Sequence, residues 1–152
     1  MNPNTTQEPR VLAIAPCVQG LGFVFFNEPQ TPIDWGVKWV RGEKNAIGLA
    51  NVADLINCYK PDVVVIEDCQ GEGSHRSKRI EDFLDEIAAL AQRHRIKVIR
   101  YSRNRMRQGF AAEGAVTKHQ IATAIAKAFP EFAPRVPPIR KIWLPEHANL
   151  SL

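Results

Sequence analysis

The chain has 152 residues, 45% of them hydrophobic, with twenty Lys and Arg against sixteen Asp and Glu and a formal net charge of +4. These values fit one domain with a sizeable core, and a pI near 9.1 leans towards a polyanionic partner. Three cysteines (Cys17, Cys58 and Cys69) without short metal-binding spacing exclude a disulfide framework and a zinc site, and they imply a reducing compartment.

Residues 1–9 are polar and lack the basic and apolar blocks of a signal peptide, so they read as a flexible tail ahead of a single domain over 10–152. No stretch approaches membrane-spanning length, and no membrane partner is expected. From Val11 to Phe26 a buried strand, a tight turn at Pro16 to Gly20 and a second strand are expected, because β-branched and aromatic residues surround the Gly and Pro punctuation. A third strand covers Ile33 to Val40. Its Trp35, Val37 and Trp39 share one face of an alternating pattern, which predicts half-buried core packing in preference to base stacking. The spacings favour an antiparallel meander, followed by a helix over Asn45 to Tyr59 with apolar positions 49, 52, 53, 55, 56 and 59.

The next element carries the chemistry. Val63-Val64-Val65-Ile66-Glu67-Asp68 reads as a parallel strand buried on both faces, whose last residues emerge at the carboxyl edge of a sheet, where α/β proteins place their sites. Side chains alternate along a strand, so Glu67 and Asp68 point to opposite faces. The plain alternative is that the two acids end the strand and pair with Arg76 or Arg79. His75, in the loop that follows, is a candidate proton carrier or phosphate contact, although an exposed histidine is more often neither.

From Arg76 to Arg95 the residues Ile80, Phe83, Leu84, Ile87, Ala88, Leu90 and Ala91 recur at helical spacing, and Lys97 to Tyr101 supplies a fifth strand. Thr117-Lys118-His119-Gln120 has the form of a capping box that launches a helix burying Ile121, Ala122, Ile125 and Phe129, with Pro130 stopping it. Between them lies a basic run, Arg93, Arg95, Lys97, Arg100, Arg103, Arg105 and Arg107, without an acid among its members. Such a run is either a solvated face or a track for phosphates, which Arg grips in a fork while counterions are released.

These segments resemble the RuvC-like family of Holliday-junction resolvases in the ribonuclease H-like superfamily. The likeness runs from about Val11 to the last residue and rests on Ile14-Ala15-Pro16 with Gly20 and Gly22, Asp34-Trp35-Gly36, Pro61-Asp62 through Glu67, Thr117-Lys118, Phe129-Pro130-Glu131, and Pro137-Pro138 with Arg140, Lys141 and Trp143. It implies an α/β fold with a five-stranded mixed sheet of order 3-2-1-4-5, strand 2 antiparallel, flanked by helices. It also implies branched- or single-stranded-DNA binding in recombination or repair, a homodimer matched to the two-fold symmetry of a four-way junction, and a cytoplasmic, nucleoid-associated location. The family activity is endodeoxyribonuclease cleavage, in which acids hold two Mg²⁺ or Mn²⁺ ions, one activating water and the other steadying the leaving oxygen.

Carried onto this chain, the resemblance makes Glu67 the fourth-strand acid and metal ligand, and it leaves Glu146 and His147 as candidate acids or ligands near the last helix. Arg76, Arg79, Arg103, Arg105, Arg107, Lys118, Arg140 and Lys141 become the expected nucleic-acid contacts. Two departures stand out. The first strand carries Ala15-Pro16-Cys17 where the family has Asp-Pro-Gly, and the family's closing Phe-Asp-Ala motif is expected immediately after Leu150-Ser151-Leu152, which reads as a cut last helix. Cleavage and binding without cleavage are therefore both carried forward. The actin-like ATPases share the strand order but need two such lobes to enclose a nucleotide.

Overall fold

The computed structural model describes residues 7–70 and 76–135. Expectations placed on His75, Arg140, Lys141, Trp143, Glu146 and His147 lie outside the described residues. Along the chain come β1 (Val11–Cys17), β2 (Gly20–Glu28), β3 (Thr31–Trp39), α1 (Lys44–Tyr59), β4 (Val63–Asp68), α2 (Lys78–Arg93), β5 (Lys97–Ser102), α3 (Arg103–Ala111), α4 (Lys118–Ala128) and a 3-10 helix (Pro130–Arg135). The strands form one sheet in the order β3-β2-β1-β4-β5, with β2 antiparallel to β1 and β4 parallel to it, as the resemblance implied.

Two compact units can be distinguished. The first runs to Ile66 and includes Arg76–Arg100. Its core follows the strand alternation: Leu12, Ile14 and Pro16 of β1, Leu21 and Phe25 of β2, and Val64 and Ile66 of β4 are buried. They are joined by Val52, Leu55 and Ile56 of α1 and by all seven residues of α2 that the helical spacing picked out, from Ile80 to Ala91. Each large aliphatic side chain removed from water in this way stabilises the fold by about 1.5–3 kcal/mol. Ser77 caps α2, its Oγ accepting from the Ile80 N–H at 3.4 Å, which sets the helix start two residues later than Arg76. Gly48 lets α1 and α2 approach closely, because a Cβ there would lie 2.8 Å from Cζ of Phe83.

The tryptophan expectation holds at Trp35, which is half-buried, and fails farther along the strand. Trp39 is 64% exposed, and Ile33 and Val37 are exposed as well. The register pairs Trp35 with Val24 and Val37 with Gly22, and these in turn pair with Ala13 and Ala15, so the stripe lies on the less covered face of the sheet. As the outermost strand, β3 also has only one neighbour to share that face with.

A polar tie secures β3 on its other face. The Tyr59 hydroxyl donates to Asp34, whose other oxygen accepts from the Trp35 N–H at 2.9 Å, and the Tyr59 ring stacks on Phe25 with centroids 4.5 Å apart. The hydrogen bond to Asp34, then burial, then the Asp34 charge push the Tyr59 pKa up from 10.0 to about 12. Because the folded value lies above the unfolded one, this contribution is intact below about pH 10 and disappears as pH rises to about 12. Urea melts across that window should show an alkaline loss of stability in the parent that Tyr59→Phe lacks.

The second unit contains Glu67–Gln70 and the chain from Tyr101 onward. The basic run is no single helix face: Arg93 ends α2, Lys97 and Arg100 lie on β5, and Arg103, Arg105 and Arg107 belong to α3, an element the apolar spacing did not predict. α3 buries no residue at all, so it has no apolar period to detect. α4 starts as expected. Thr117 Oγ1 accepts from the Gln120 N–H at 3.1 Å while Gln120 Oε1 accepts from the Thr117 N–H at 3.0 Å. It buries less than predicted, since Ala122 alone is fully covered while Ile121, Ile125 and Phe129 are half-buried. Phe129 packs on Phe132 of the 3-10 helix that Pro130 opens, 5.8 Å between ring centroids.

Candidate functional site

β1 and β4 run in parallel with Val11 opposite Val63, Leu12 opposite Val64 and Ala13 opposite Val65. Ala15 and Glu67 each lie two residues farther along their own strand. The side chain of Glu67 is 14% exposed, and Arg103, the first residue of α3, places its Nε 3.6 Å from Glu67 Oε1. A carboxylate so far withdrawn from water requires a compensating charge, and the guanidinium supplies one. Asp68 Oδ1 accepts from the Gln70 N–H at 2.9 Å and closes the turn after β4.

The remaining cations fall into distinct environments. Arg79 is tied to α1, where its guanidinium donates to Asn45 Oδ1 and its carbonyl accepts from Asn45 Nδ2, both at 3.1 Å. Arg100 pairs with Asp85 at 3.3 Å. Arg76 is half-buried at the start of the described segment before α2. In the second unit, Arg103, Arg105 and Arg107 alternate along the first half of α3, and Lys118 is the first residue of α4. Helical geometry puts Arg103 and Arg107 on one face, a turn apart, with Arg105 on the opposite side. There the Arg105 guanidinium lies over the exposed Tyr101 ring, 5.2 Å from its centroid.

This charge placement runs against helix electrostatics. A helix N-terminus favours acid and disfavours base by about 0.3–1 kcal/mol per charge. α2 opens with Lys78 and Arg79 but carries Glu81 in its first turn and Arg93 in its last. α1, α3 and α4 each begin with a cation and have no acid in the first turn; of these, α3 and α4 belong to the unit that holds Glu67. An arrangement that costs stability in the isolated protein is offset when an anion docks against the same amides and guanidinium groups. Sequence reasoning found these cations but missed Ser102, which caps α3 by accepting from the Arg105 N–H at 3.1 Å, and Tyr101, which carries Arg105. The signal available was a serine directly before a stretch, Arg103 to Gln108, in which every residue but Asn104 is a strong helix former.

The metal pair implied by the resemblance does not fit the described residues. Hard divalent cations need several oxygen ligands. Glu67 is the one acid of the expected set in view, an Ala15 methyl cannot ligate, and Glu146 lies outside the described residues. No group of three or more His, Cys, Asp or Glu side chains suited to a metal occurs among the described residues.

No family model matches the sequence, and no curated protein matches it. Solved structures do share the fold. The Thermus thermophilus RuvC structure superimposes with a TM-score of 0.63 at 15% identity over 93% of this chain and 89% of that one. T. thermophilus RuvC in complex with a Holliday junction substrate gives 0.65 at 16% identity over 95% and 90%. The yeast mitochondrial Holliday junction resolvase Ydc2 gives 0.55 at 12% identity over 82% and 64%. The chain therefore has a RuvC-like fold, with strands in the order β3-β2-β1-β4-β5.

Proposed function

We propose that this chain binds branched DNA, with four-way junctions as the preferred form, and that it does so without cutting. The observation that carries the reading is the acid-free, cation-led start of both α3 and α4, in the same compact unit as Glu67. The shared fold supports the choice of substrate, since one matching structure was solved with a Holliday junction substrate. Ala15, whose methyl cannot ligate a metal where the resemblance calls for a carboxylate, supports the absence of cleavage. A second reading, metal-dependent endonuclease action, is favoured by the survival of Glu67 at the end of β4. On either reading a two-fold dimer suits a substrate with two equivalent halves.

Fluorescence anisotropy should show tighter binding to a four-way junction than to a duplex of equal length, with log K falling steeply as log salt rises. Strand cleavage should remain absent in Mg²⁺ and in Mn²⁺. Equal affinity for junction and duplex would refute the substrate, and symmetric nicks in either metal would favour the endonuclease.

A further inference from the structure

We infer that Arg103 is a built-in counter-cation for Glu67, so that the carboxylate at the end of β4 meets DNA through a guanidinium instead of a divalent metal. The inference rests on the DNA-binding reading for its substrate, and on the structure of the second unit for everything else. Glu67 and Arg103 stand 36 positions apart in sequence, yet their side chains are 14% and 29% exposed and their charged atoms lie 3.6 Å apart. That distance is ion-pair contact rather than a direct hydrogen bond, which makes the interaction one of charge more than of hydrogen bonding.

α3 buries none of its residues, and a cation at its first position opposes the helix dipole. The Glu67 carboxylate offsets that cost, and the guanidinium in turn places a positive charge beside a carboxylate that is largely withdrawn from water. A divalent ion seated on Glu67 would have to come within about 2 Å of its oxygens, against the repulsion of a fixed positive charge close by. The pair therefore blocks the metal electrostatically, independently of the substitution at Ala15. A guanidinium is a planar fork of five N–H donors, so one turned by its Nε towards Glu67 keeps a second edge suited to a phosphodiester oxygen pair. Arg107 follows one turn along the same helix face, at a spacing that lets the two arginines meet successive phosphates of one strand.

The test uses the full chain and two separate probes, Mn²⁺ alone and a synthetic four-way junction. Titration followed by the Mn²⁺ EPR signal should give the same weak binding for the parent and for Glu67→Gln. Arg103→Met should tighten Mn²⁺ binding by about tenfold or more, because an opposing unit charge is gone. The double variant Arg103→Met with Glu67→Gln should cancel that gain, while Arg103→Lys should resemble the parent. Junction affinity of the parent, at constant ionic strength, should agree within about twofold between EDTA and Mg²⁺, since no counter-cation has to be recruited. Saturable Mn²⁺ binding by the parent that Glu67→Gln abolishes would overturn the inference, and this comparison needs no change at Arg103 if that variant does not fold. An Arg103→Met protein that folds but binds Mn²⁺ like the parent would overturn it equally. Failure to bind junctions under any condition would sink the functional reading while leaving the Mn²⁺ result to stand by itself.

Discussion

Gly20→Ala is expected to cost the fold about 3 kcal/mol or more, enough to leave much of the protein unfolded, because two unfavourable effects coincide at one atom. Gly20 has φ +152°, and a Cβ built on its backbone would lie 1.9 Å from the Lys38 carbonyl oxygen and 3.1 Å from the Val40 N. Neither is the end of a flexible side chain that can swing aside. Both belong to the segment where the end of β3 meets the start of β2, with Gly20 opposite Trp39 and the Val40 N–H donating to the Gln19 carbonyl at 2.8 Å. The clash is thus with a hydrogen-bonded ladder, and relief requires β3 to move off the sheet. Gly22 is the control. A Cβ there would meet the Ala15 and Gly36 carbonyls at 3.8 and 3.9 Å, ordinary contact, so Gly22→Ala should change stability by less than about 1 kcal/mol. Urea unfolding followed by circular dichroism separates the two, and equal midpoints would refute the close-approach account.

The same glycine shows what the sequence could and could not tell. Gly20 was legible as turn punctuation, but its real constraint is a backbone 18 residues away, which no local pattern encodes. The opposite holds for α2. Its seven core residues were readable one by one, because a helix that lies on a sheet must repeat apolar side chains every three to four positions. β4 was equally plain, its Val and Ile run being what a strand with neighbours on both sides requires. α3 was silent for the complementary reason: an element that buries nothing leaves no hydrophobic period, and its capping serine was the only mark it made. Trp39 misled because alternation predicts which residues share a face, while the coverage of that face is set by the tertiary arrangement.

The site divides along the same line. Glu67 and the α3 cations were visible as residue types in order. Their pairing was not, since an ion pair between the end of one strand and the start of a helix depends on how the chain returns. The early alternatives paired Glu67 with its sequence neighbours Arg76 or Arg79. Arg79 instead holds Asn45 of α1, and Glu67 meets the guanidinium of Arg103, 36 residues downstream. Chemistry-bearing side chains are legible in a single sequence, whereas the compensating charges that decide their role are tertiary facts.

Combined substitution of Arg105, Arg107 and Lys118 by alanine should weaken four-way-junction binding by about a hundredfold or more at 50–100 mM salt and flatten the slope of log K against log salt by about 2.7, the share of three phosphate contacts. All three side chains are exposed, and none has a place in the core. Stability should hardly follow. Removing Arg105 and Lys118 from the first turns of α3 and α4 relieves an unfavourable dipole interaction, and alanine is the best helix former, which together offset the loss of the Arg105 contact with Tyr101, worth about 0.5–1 kcal/mol. A protein that melts at the parent's temperature or above while losing most of its DNA affinity would distinguish an interface from a structural charge cluster. Lys78→Ala gives the matched reference, because that side chain is engaged with Asp82 one helical turn away at 2.9 Å and its removal should shift the salt slope by less than about one. If the triple variant bound junctions as the parent does, the cations of α3 and α4 would be surface charge alone, and the anion-binding role argued from their cost to the helices would be lost with them.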